Sequence, residues 1–200
     1  LVLSAQRTAK AEEPGTDDLL IIQHLGSWAG PAKIIRIKND PQAASSQTIY
    51  EAQDITYCLC FHPKYAENGY LYIASNGPLG SGNPKDQICR YTMDRKTGKP
   101  DPASRKLIIE WESNGHNGCG MEFGPDGMLF ITSGDTSTDS DNNNRGQDLT
   151  HLSSALLRLD VDHPEGSKNY SVPKDNPFVG KPEFKDARPE IWAHGFRNPW

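Results

Sequence analysis

Three polar residues, Gln53, His116 and Arg197, occupy similar places relative to short β-rich segments. Gln53 lies eight residues before Phe61, His116 lies seven residues before Phe123, and Arg197 stands where a third such segment begins. An imidazole exchanges protons near neutral pH, and a guanidinium stays charged and offers a planar set of donors. If the segments are equivalent strands around one axis, these side chains meet and could transfer a proton and stabilise negative charge.

A polar loop between residues 135 and 144 alternates oxygen-bearing side chains. Its carboxylates, Asp135, Asp139 and Asp141, are hard oxygen ligands of the kind that calcium prefers. The loop lacks the glycine and the terminal glutamate of an EF-hand. Because Asp, Asn and Ser are also common in turns, we prefer the interpretation of a solvated polar loop. The same loop could instead cover a substrate.

The elements that must position these residues recur along the chain. Short apolar runs that end near Gly or Asn lie at 19–27, 70–78 and 128–136. Each is followed by a second run with a central arginine, at 34–40, 88–94 and 156–162. Two of the units also have a preceding run that ends in a turn, at 58–63 and 120–127. The unit therefore reads as a meander of three or four strands.

This repeat predicts an all-β fold of the β-propeller type. Leu20, Leu71 and Leu129 mark it at intervals of 51 and 58 residues. We expect one partial domain over 1–200, with repeat units at about 19–53, 54–115 and 116–196 and a fourth that begins near 197. Since propellers close with about four to eight blades, the chain should hold about three blades and the start of a fourth. A sandwich of two sheets fits the strand count but not a pattern that recurs in order.

Composition excludes several classes of function. The 200 residues carry a net charge of -5 with scattered Lys and Arg, which disfavours nucleic-acid binding. No apolar run approaches the roughly 20 residues of a membrane helix, so we expect no membrane span in this chain. The first residues include neither Met nor a basic stretch, so a signal peptide, if the gene encodes one, is expected outside this sequence.

The four cysteines form no C-x-x-C pair, which argues against zinc ribbons and c-type haem attachment. They are Cys58, Cys60, Cys89 and Cys119. We interpret them as small apolar residues of a packed sheet, because buried free cysteine is common. Their disulfide status stays open.

Several motifs follow one another between Phe61 and Trp200. They are Gly-His-Asn-Gly at 115–118, Phe-Gly-Pro-Asp-Gly at 123–127, Gly-Asp at 134–135, Gln-Asp at 147–148, Leu-Leu-Arg-Leu-Asp-Val-Asp at 156–162, Asn-Pro-Phe at 176–178, and the segment 189–200. In this order they resemble the soluble, PQQ-dependent glucose and sorbosone (aldose sugar) dehydrogenases. The resemblance weakens before Gln53. It implies that the chain is a fragment of a propeller with six blades.

The resemblance also implies a reaction. In such enzymes the anomeric hydroxyl of an aldose, or a related aldehyde such as sorbosone, is oxidised to the lactone or acid with hydride transfer to pyrroloquinoline quinone (PQQ). His116 matches the histidine that accepts the proton, and Arg197 matches the arginine that stabilises charge on the quinone. Asn198 matches the neighbour that hydrogen-bonds the quinone.

Further roles are implied in the same way. Gln53 and Asn117 are expected to contact the substrate, although the Gly-Leu-Leu-Gly that usually follows the glutamine is Ile-Thr-Tyr-Cys here. Calcium is implied as a second cofactor, with ligands that follow the Arg-Asn-Pro segment and lie beyond Trp200. The resemblance further implies a periplasmic or secreted protein with an electron acceptor such as a haem domain or a cytochrome.

Two other functions stay open. One is a non-catalytic extracellular propeller that binds a ligand, like the hedgehog-interacting relatives. The other is a calcium-dependent lactonase, for which Glu, Asn and Asp ligands would be expected in place of Gly-His-Asn-Gly. The presence of His116 together with Arg197 and Asn198 favours the dehydrogenase.

Overall fold

A computed structural model describes residues 10–26 and 30–200. The predicted domain over 1–200 includes residues 1–9 and 27–29, which lie outside the described residues. Of these, residues 27–29 belong to the predicted first repeat unit. Nearly all of the regular secondary structure in the described chain is β-strand, which confirms the all-β prediction. Its helical segments are α1 (Tyr65–Asn68) and two 3-10 turns, Pro102–Ser104 and Pro182–Phe184.

The described strands form three antiparallel sheets. Sheet 1 contains β1 (Lys10–Glu12), β2 (Asp18–His24), β3 (Ala32–Lys38) and β4 (Ser46–Ala52). Sheet 2 contains β5 (Ile55–Phe61), β6 (Tyr70–Gly77), β7 (Lys85–Asp94), β8 (Lys99–Pro100) and β9 (Lys106–Glu112). Sheet 3 contains β10 (Gly118–Phe123), β11 (Leu129–Ser133), β12 (Ala155–Leu159) and β13 (Ile191–His194). In sheets 1 and 3, strands that are consecutive in the chain pair side by side, as in a meander. In sheet 2 the strands β5, β6 and β7 do so, and β8 and β9 both pair with β7.

Sheet 2 packs between the other two sheets, and its strand β6 shows how. Leu71 and Ile73 belong to the core shared with sheet 1, whereas Tyr72 and Ala74 belong to the core shared with sheet 3. Successive side chains of a strand point to opposite faces. Because both faces are covered, β6 reads as a continuous apolar run. The three sheets are thus stacked in chain order, which a two-sheet sandwich would not produce.

The repeated arginines of the third strands have different partners. Arg36 donates from Nε and Nη2 to the Glu13 carboxylate at 2.7 and 2.9 Å, Arg90 lies 3.9 Å from the centre of the Tyr70 ring, and Arg158 pairs with Asp126 at 2.9 Å and Asp175 at 2.7 Å. Arginine suits all of these positions because its planar head binds carboxylates with two donors and also stacks on aromatic faces. The arginine is repeated in sequence, but the interaction that it makes is not.

All four cysteines are free. Cys89 and Cys119 are buried, and Cys58 and Cys60 pack against the core between sheets 2 and 3. Burial raises the pKa of each of these thiols, that of Cys89 to about 11. They are therefore neutral side chains of the packed sheets.

A search of the described residues for a membrane-spanning helix, one both long enough and apolar enough, finds none.

Candidate functional site

The start of β10 and the end of β11 bring two polar side chains together. Gly118 at the start of β10 pairs with Ser133 at the end of β11. His116 precedes the first of these strands and Asp135 follows the second, so the two residues lie across from each other. Backbone hydrogen bonds continue the pairing, from His116 N to Ser137 O at 2.7 Å and from Thr136 N to His116 O at 3.2 Å.

The His116 imidazole is oriented by the Asp135 carboxylate. Nδ1 of His116 lies 2.9 Å from Oδ1 of Asp135, and the imidazole is 16% exposed. Because an ionised carboxylate can only accept, Nδ1 carries the hydrogen in this contact. The lone pair of the neutral ring is then on Nε2. This arrangement prepares Nε2 to accept a proton.

Asp135 is buried, and its carboxylate is held ionised. Burial raises its pKa, but hydrogen bonds from the Ser137 backbone N–H, the His116 ring and the Ser137 hydroxyl outweigh burial, so the pKa lies below its usual value. The Ser137 N–H and hydroxyl donate to Oδ1 at 2.9 and 2.8 Å. The second oxygen, Oδ2, is buried and accepts no hydrogen bond. A negative charge therefore lies directly behind the imidazole.

Arg197 joins this pair through its backbone. The backbone N–H of Asp135 donates to the carbonyl of Arg197 at 2.9 Å. Gly134 makes the approach possible, because a Cβ at this position would lie 2.1 Å from His116 O and 2.9 Å from Arg197 O. Such distances are far below van der Waals contact, so only glycine fits here without movement of the backbone.

The side chains of the segment 197–200 have distinct environments. The Arg197 guanidinium is exposed and donates to the carbonyl oxygen of Asp139. Asn198 is half-buried, and its Oδ1 is enclosed without a hydrogen-bond partner. The Trp200 ring lies 5.6 Å from the Tyr57 ring. The segment thus places one charged donor and one incompletely bonded amide beside the His116 turn.

Asn117 points into the protein. It is 5% exposed, its Oδ1 accepts from the Ser113 hydroxyl, and its Nδ2 donates to the Tyr57 hydroxyl. The amide thus connects the turn before β10 with sheet 2. Because the amide is enclosed and bonded within the protein, the substrate contact expected of Asn117 stays a prediction.

Gln53 lies apart from the other predicted site residues. Its exposed side chain lines a cleft between sheets 1 and 2 together with Thr56, Gln87, Tyr91 and Arg105. Within the described chain, no hydrogen bond connects Gln53 to His116, Asn117 or Arg197. Gln53 does precede the first strand of sheet 2 as His116 precedes the first strand of sheet 3. The structure therefore brings His116 and Arg197 into one cluster and leaves Gln53 outside it.

The carboxylates considered as cation ligands do not converge. Asp135 bonds His116, Asp139 is exposed, and Asp141 accepts from the backbone N–H groups of Arg145 and Gly146 at 2.6 and 2.9 Å. Over residues 10–26 and 30–200, no three His, Cys, Asp or Glu side chains are grouped as metal ligands. These contacts favour the interpretation of the segment as a polar loop.

The sequence analysis missed the role of Asp135 as the partner of His116. Its only signal was position: Gly134 and Asp135 directly follow a β-rich run, as Gly115 and His116 directly precede one. In adjacent antiparallel strands, the end of one lies beside the start of the next. Ser137, which completes the bonding of Asp135, had no signal of its own.

Comparison with known proteins places this site in a family. The sequence profile described as Glucose / Sorbosone dehydrogenase matches residues 40–200. The hedgehog-interacting protein of Mus musculus is 34% identical over 149 residues, which cover 70% of this chain and 21% of that protein. The aldose sugar dehydrogenase YliI of Escherichia coli is 32% identical over 136 residues, which cover 65% of this chain and 30% of that protein. The chain thus spans less than a third of the length of these curated relatives.

A solved structure shows the same fold. The PQQ-bound aldose sugar dehydrogenase of Streptomyces coelicolor superposes with a TM-score of 0.66 at 21% identity, over 98% of this chain and 52% of that one. The predicted β-propeller class is confirmed, whereas the total of six blades stays a prediction. Fold and profile agree over most of the sequence, so the chain belongs to the glucose/sorbosone dehydrogenase family.

Proposed function

We propose that the protein oxidises the anomeric hydroxyl of an aldose sugar, or a related aldehyde such as sorbosone, to the lactone or acid, with PQQ as the hydride acceptor. The observation that carries this proposal is the contact of 2.9 Å between His116 Nδ1 and Asp135 Oδ1. It orients a base at the place where the chain also presents a cationic donor, Arg197. The name of the Streptomyces relative, which includes bound PQQ, supports the choice of cofactor.

His116 is the proposed general base. As the hydride leaves the anomeric carbon, the proton of the anomeric hydroxyl passes to Nε2 of His116, and the carbon–oxygen bond becomes a carbonyl. Asp135 keeps the ring in the required tautomer and stabilises the imidazolium that forms. An imidazole suits this step because general bases work best when their pKa lies near the working pH.

Arg197 and Asn198 are the residues that would hold the quinone. When bound, PQQ supplies an electrophilic carbonyl that accepts the hydride. The exposed Arg197 guanidinium is a permanent donor for carbonyl oxygens that gain negative charge. Asn198 lies on the same segment and is half-buried; its Nδ2 is the donor that could bind a quinone oxygen, whereas its enclosed Oδ1 can only accept. These features are compatible with the cofactor.

We propose Gln53 and Asn117 as substrate contacts; because Gln53 lies outside the His116 cluster, it would contact a part of the substrate remote from the reacting carbon. For calcium we assign no residue of this chain, because no three His, Cys, Asp or Glu side chains of residues 10–26 and 30–200 are grouped as metal ligands. The proposal includes a periplasmic or secreted location and an electron acceptor such as a haem domain or a cytochrome.

The test uses the whole protein, reconstituted with PQQ and calcium, and follows dye reduction with a panel of aldoses. His116→Ala should lower kcat by roughly 100- to 10,000-fold, the usual contribution of a general base, and leave PQQ binding largely intact. Arg197→Ala should weaken both turnover and PQQ binding. His163→Ala is the matched control, since that imidazole is 81% exposed. Turnover of His116→Ala equal to that of the unmutated protein would remove the proposed base.

A second candidate function is a non-catalytic propeller that binds a protein ligand, favoured by the 34% identity to the hedgehog-interacting protein. The oriented His116 and the nearby Arg197 favour the enzyme. The same experiment separates the two functions. Failure of the unmutated protein to bind PQQ and to oxidise any aldose would support the binding protein.

A further inference from the structure

A carboxyl group is buried between sheets 2 and 3, away from the proposed reaction. Asp86 lies on β7 and is 0% exposed. It shares a face of the strand with Ile88, two residues later, which packs in the core between the two sheets. None of the ion pairs among the described residues includes Asp86. A carboxyl in such a place is costly to ionise, because burial removes it from solvent and no cationic side chain of the described residues pairs with it.

The neighbours of Asp86 are uncharged. Asn76 donates from Nδ2 to Asp86 Oδ1 at 3.0 Å and to the backbone oxygen of Ser113 at 3.1 Å. The Trp111 indole, the Ser113 hydroxyl and the Cys119 thiol lie against the same carboxyl. Its Oδ2 is nevertheless buried without a hydrogen bond of normal geometry. Among the described residues, the carboxyl thus accepts one hydrogen bond of normal geometry, from Asn76, whereas a carboxylate that stays ionised when buried accepts two or three.

Cys119 contributes a second, independent observation. It is fully buried and has φ of 66°, in the left-handed region that favours glycine. A cysteine in this conformation is strained, because its Cβ crowds the following carbonyl oxygen. Backbone strain that is retained in the folded protein indicates a role for the side chain. Here the thiol lies against the Asp86 carboxyl.

The buried group connects to the turn that carries His116. Ser113, which lies against Asp86, donates from its hydroxyl to Oδ1 of Asn117. Asn117 directly follows His116, and Cys119 comes two residues later. Both side chains flank Gly118 and are anchored in the same buried cluster. The position of the His116 backbone therefore depends on the packing around Asp86.

We propose that Asp86 and Cys119 are positioning residues, a neutral carboxyl–thiol pair that fixes the His116 turn on sheet 2 and loosens it when Asp86 loses its proton. The significance for catalysis rests on the proposed function of His116. The pair itself is a property of the fold and can be tested without substrate or PQQ.

The pH at which this happens follows from burial. Desolvation raises the pKa of Asp86 to about 7, against the opposing effect of the bond from Asn76 and of the nearby polar groups of Ser113, Cys119 and Trp111. Of the groups that face it, from β6, β9, the Ser113 turn and β10, only Cys119 titrates. Burial also raises the pKa of that thiol, which therefore stays protonated. The folded state thus binds a proton that the unfolded chain has already released, so stability declines as pH rises through about 7.

The first test measures thermal unfolding of the whole protein at pH 5 and pH 8. Asp86→Asn keeps the shape and cannot ionise, so its Tm relative to the unmutated protein should rise from pH 5 to pH 8. Glu190→Gln is the matched control. Glu190 is also 0% exposed, but its pKa is lowered to about 2, so it stays ionised at pH 5 and at pH 8. The Tm difference between Glu190→Gln and the unmutated protein should therefore be the same at both pH values. If the Tm difference between Asp86→Asn and the unmutated protein does not change with pH, the proposal that the carboxyl–thiol pair is neutral is overturned.

The second test follows the His116 ring by NMR of histidine labelled at Cε1, with the signal assigned from its loss in His116→Ala. The unmutated protein should show an inflection of this signal near pH 7, where Asp86 loses its proton. Asp86→Asn should remove that inflection, and Glu190→Gln should retain it. Cys119→Gly replaces the cysteine with a residue that adopts this φ readily. This variant should also remove the inflection of the His116 signal, whereas the pH dependence of Tm should persist. A His116 signal with no such inflection refutes the positioning role, whether or not the protein oxidises sugars.

Discussion

At the scale of single residues, His116 is fixed from two directions. Its backbone pairs with Thr136 and Ser137, and its side chain bonds Asp135. The carbonyl oxygens of His116 and Arg197 both approach Gly134 closely. The backbones of His116, the proposed base, and of Arg197, the proposed cationic donor, thus meet at a glycine.

Gly134→Ala tests this close approach. The new Cβ would lie 2.1 Å from the carbonyl oxygen of His116, so the backbone has to move. We expect a stability loss of about 1–3 kcal/mol, typical of overpacking, and a fall in kcat as the pair is displaced. Both are measured on the whole protein by denaturant unfolding and by dye reduction. Gly82→Ala is the control, since a Cβ there meets nothing within 4 Å. Equal stability and equal kcat of the two variants would contradict the close backbone approach at Gly134.

The residue types of the site were predictable from sequence, but their bonds were not. His116 and Arg197 could be brought together because repeated strands place equivalent positions at one end of the fold. The Asp135 contact depends on a register shift between Gly118 and Met121, which no local pattern of residues announces. The same applies to Asn117, whose amide turns inward because Tyr57 and Ser113 supply its partners.

At the scale of elements, the sheets are held by strands that bury both faces or one full face. In β11 the residues Leu129 and Ile131 are both 0% exposed and face the core between sheets 2 and 3. This strand ends two residues before Asp135. Its packing therefore sets the position of the carboxylate that orients His116.

Ile131→Ala tests the contribution of β11. Removal of a fully buried isoleucine side chain should lower the free energy of unfolding by about 2–5 kcal/mol, because it loses contacts and leaves a cavity. The measurement is denaturant unfolding of the whole protein. Leu79→Ala, at a position 37% exposed, serves as the control and should change stability far less. A cost for Ile131→Ala no larger than that of the control would show that sheet 3 is not packed as described.

The second and third strands of each unit were predictable, but the outer strands were less so. Apolar runs and the repeated arginine mark β2, β3, β6, β7, β11 and β12. In contrast, β4 (Ser46–Ala52) alternates buried and exposed residues only weakly and reads as polar sequence. β9 (Lys106–Glu112) and β13 (Ile191–His194) pair at the ends of their sheets. Their positions are set by pairing with a neighbour, which composition alone does not encode.

At the scale of the whole molecule, buried charges tie loops to the stacked sheets. Glu190 is 0% exposed and accepts from the Tyr170 hydroxyl at 2.7 Å and from Lys168 Nζ at 3.0 Å. Arg188 donates to it at 3.3 Å. Burial raises the pKa of Glu190, but the bonds from Arg188 and Tyr170 outweigh it and lower the pKa to about 2.

Acid should therefore destabilise the fold through Glu190. Its folded pKa lies below the unfolded value of 4.5, so the stabilisation is present above pH 4.5 and is lost as pH falls toward about 2. The loss is on the order of 3 kcal/mol. Glu190→Gln should remove this part of the acid dependence, measured as Tm against pH on the whole protein. Glu183→Gln, at an exposed position, should retain the full dependence. An unchanged acid profile in Glu190→Gln would argue against the charge network.

His116, Asp135, Arg197 and Asn198 are all attached to the ends of sheet 3, and none belongs to sheet 1. Amino-acid replacements that accumulate in sheet 1 over the history of a lineage would leave the proposed proton acceptor and its neighbours untouched. Selection would act on sheet 1 mainly through its packing against sheet 2. The family profile, which begins at residue 40 and so omits most of sheet 1, follows that division.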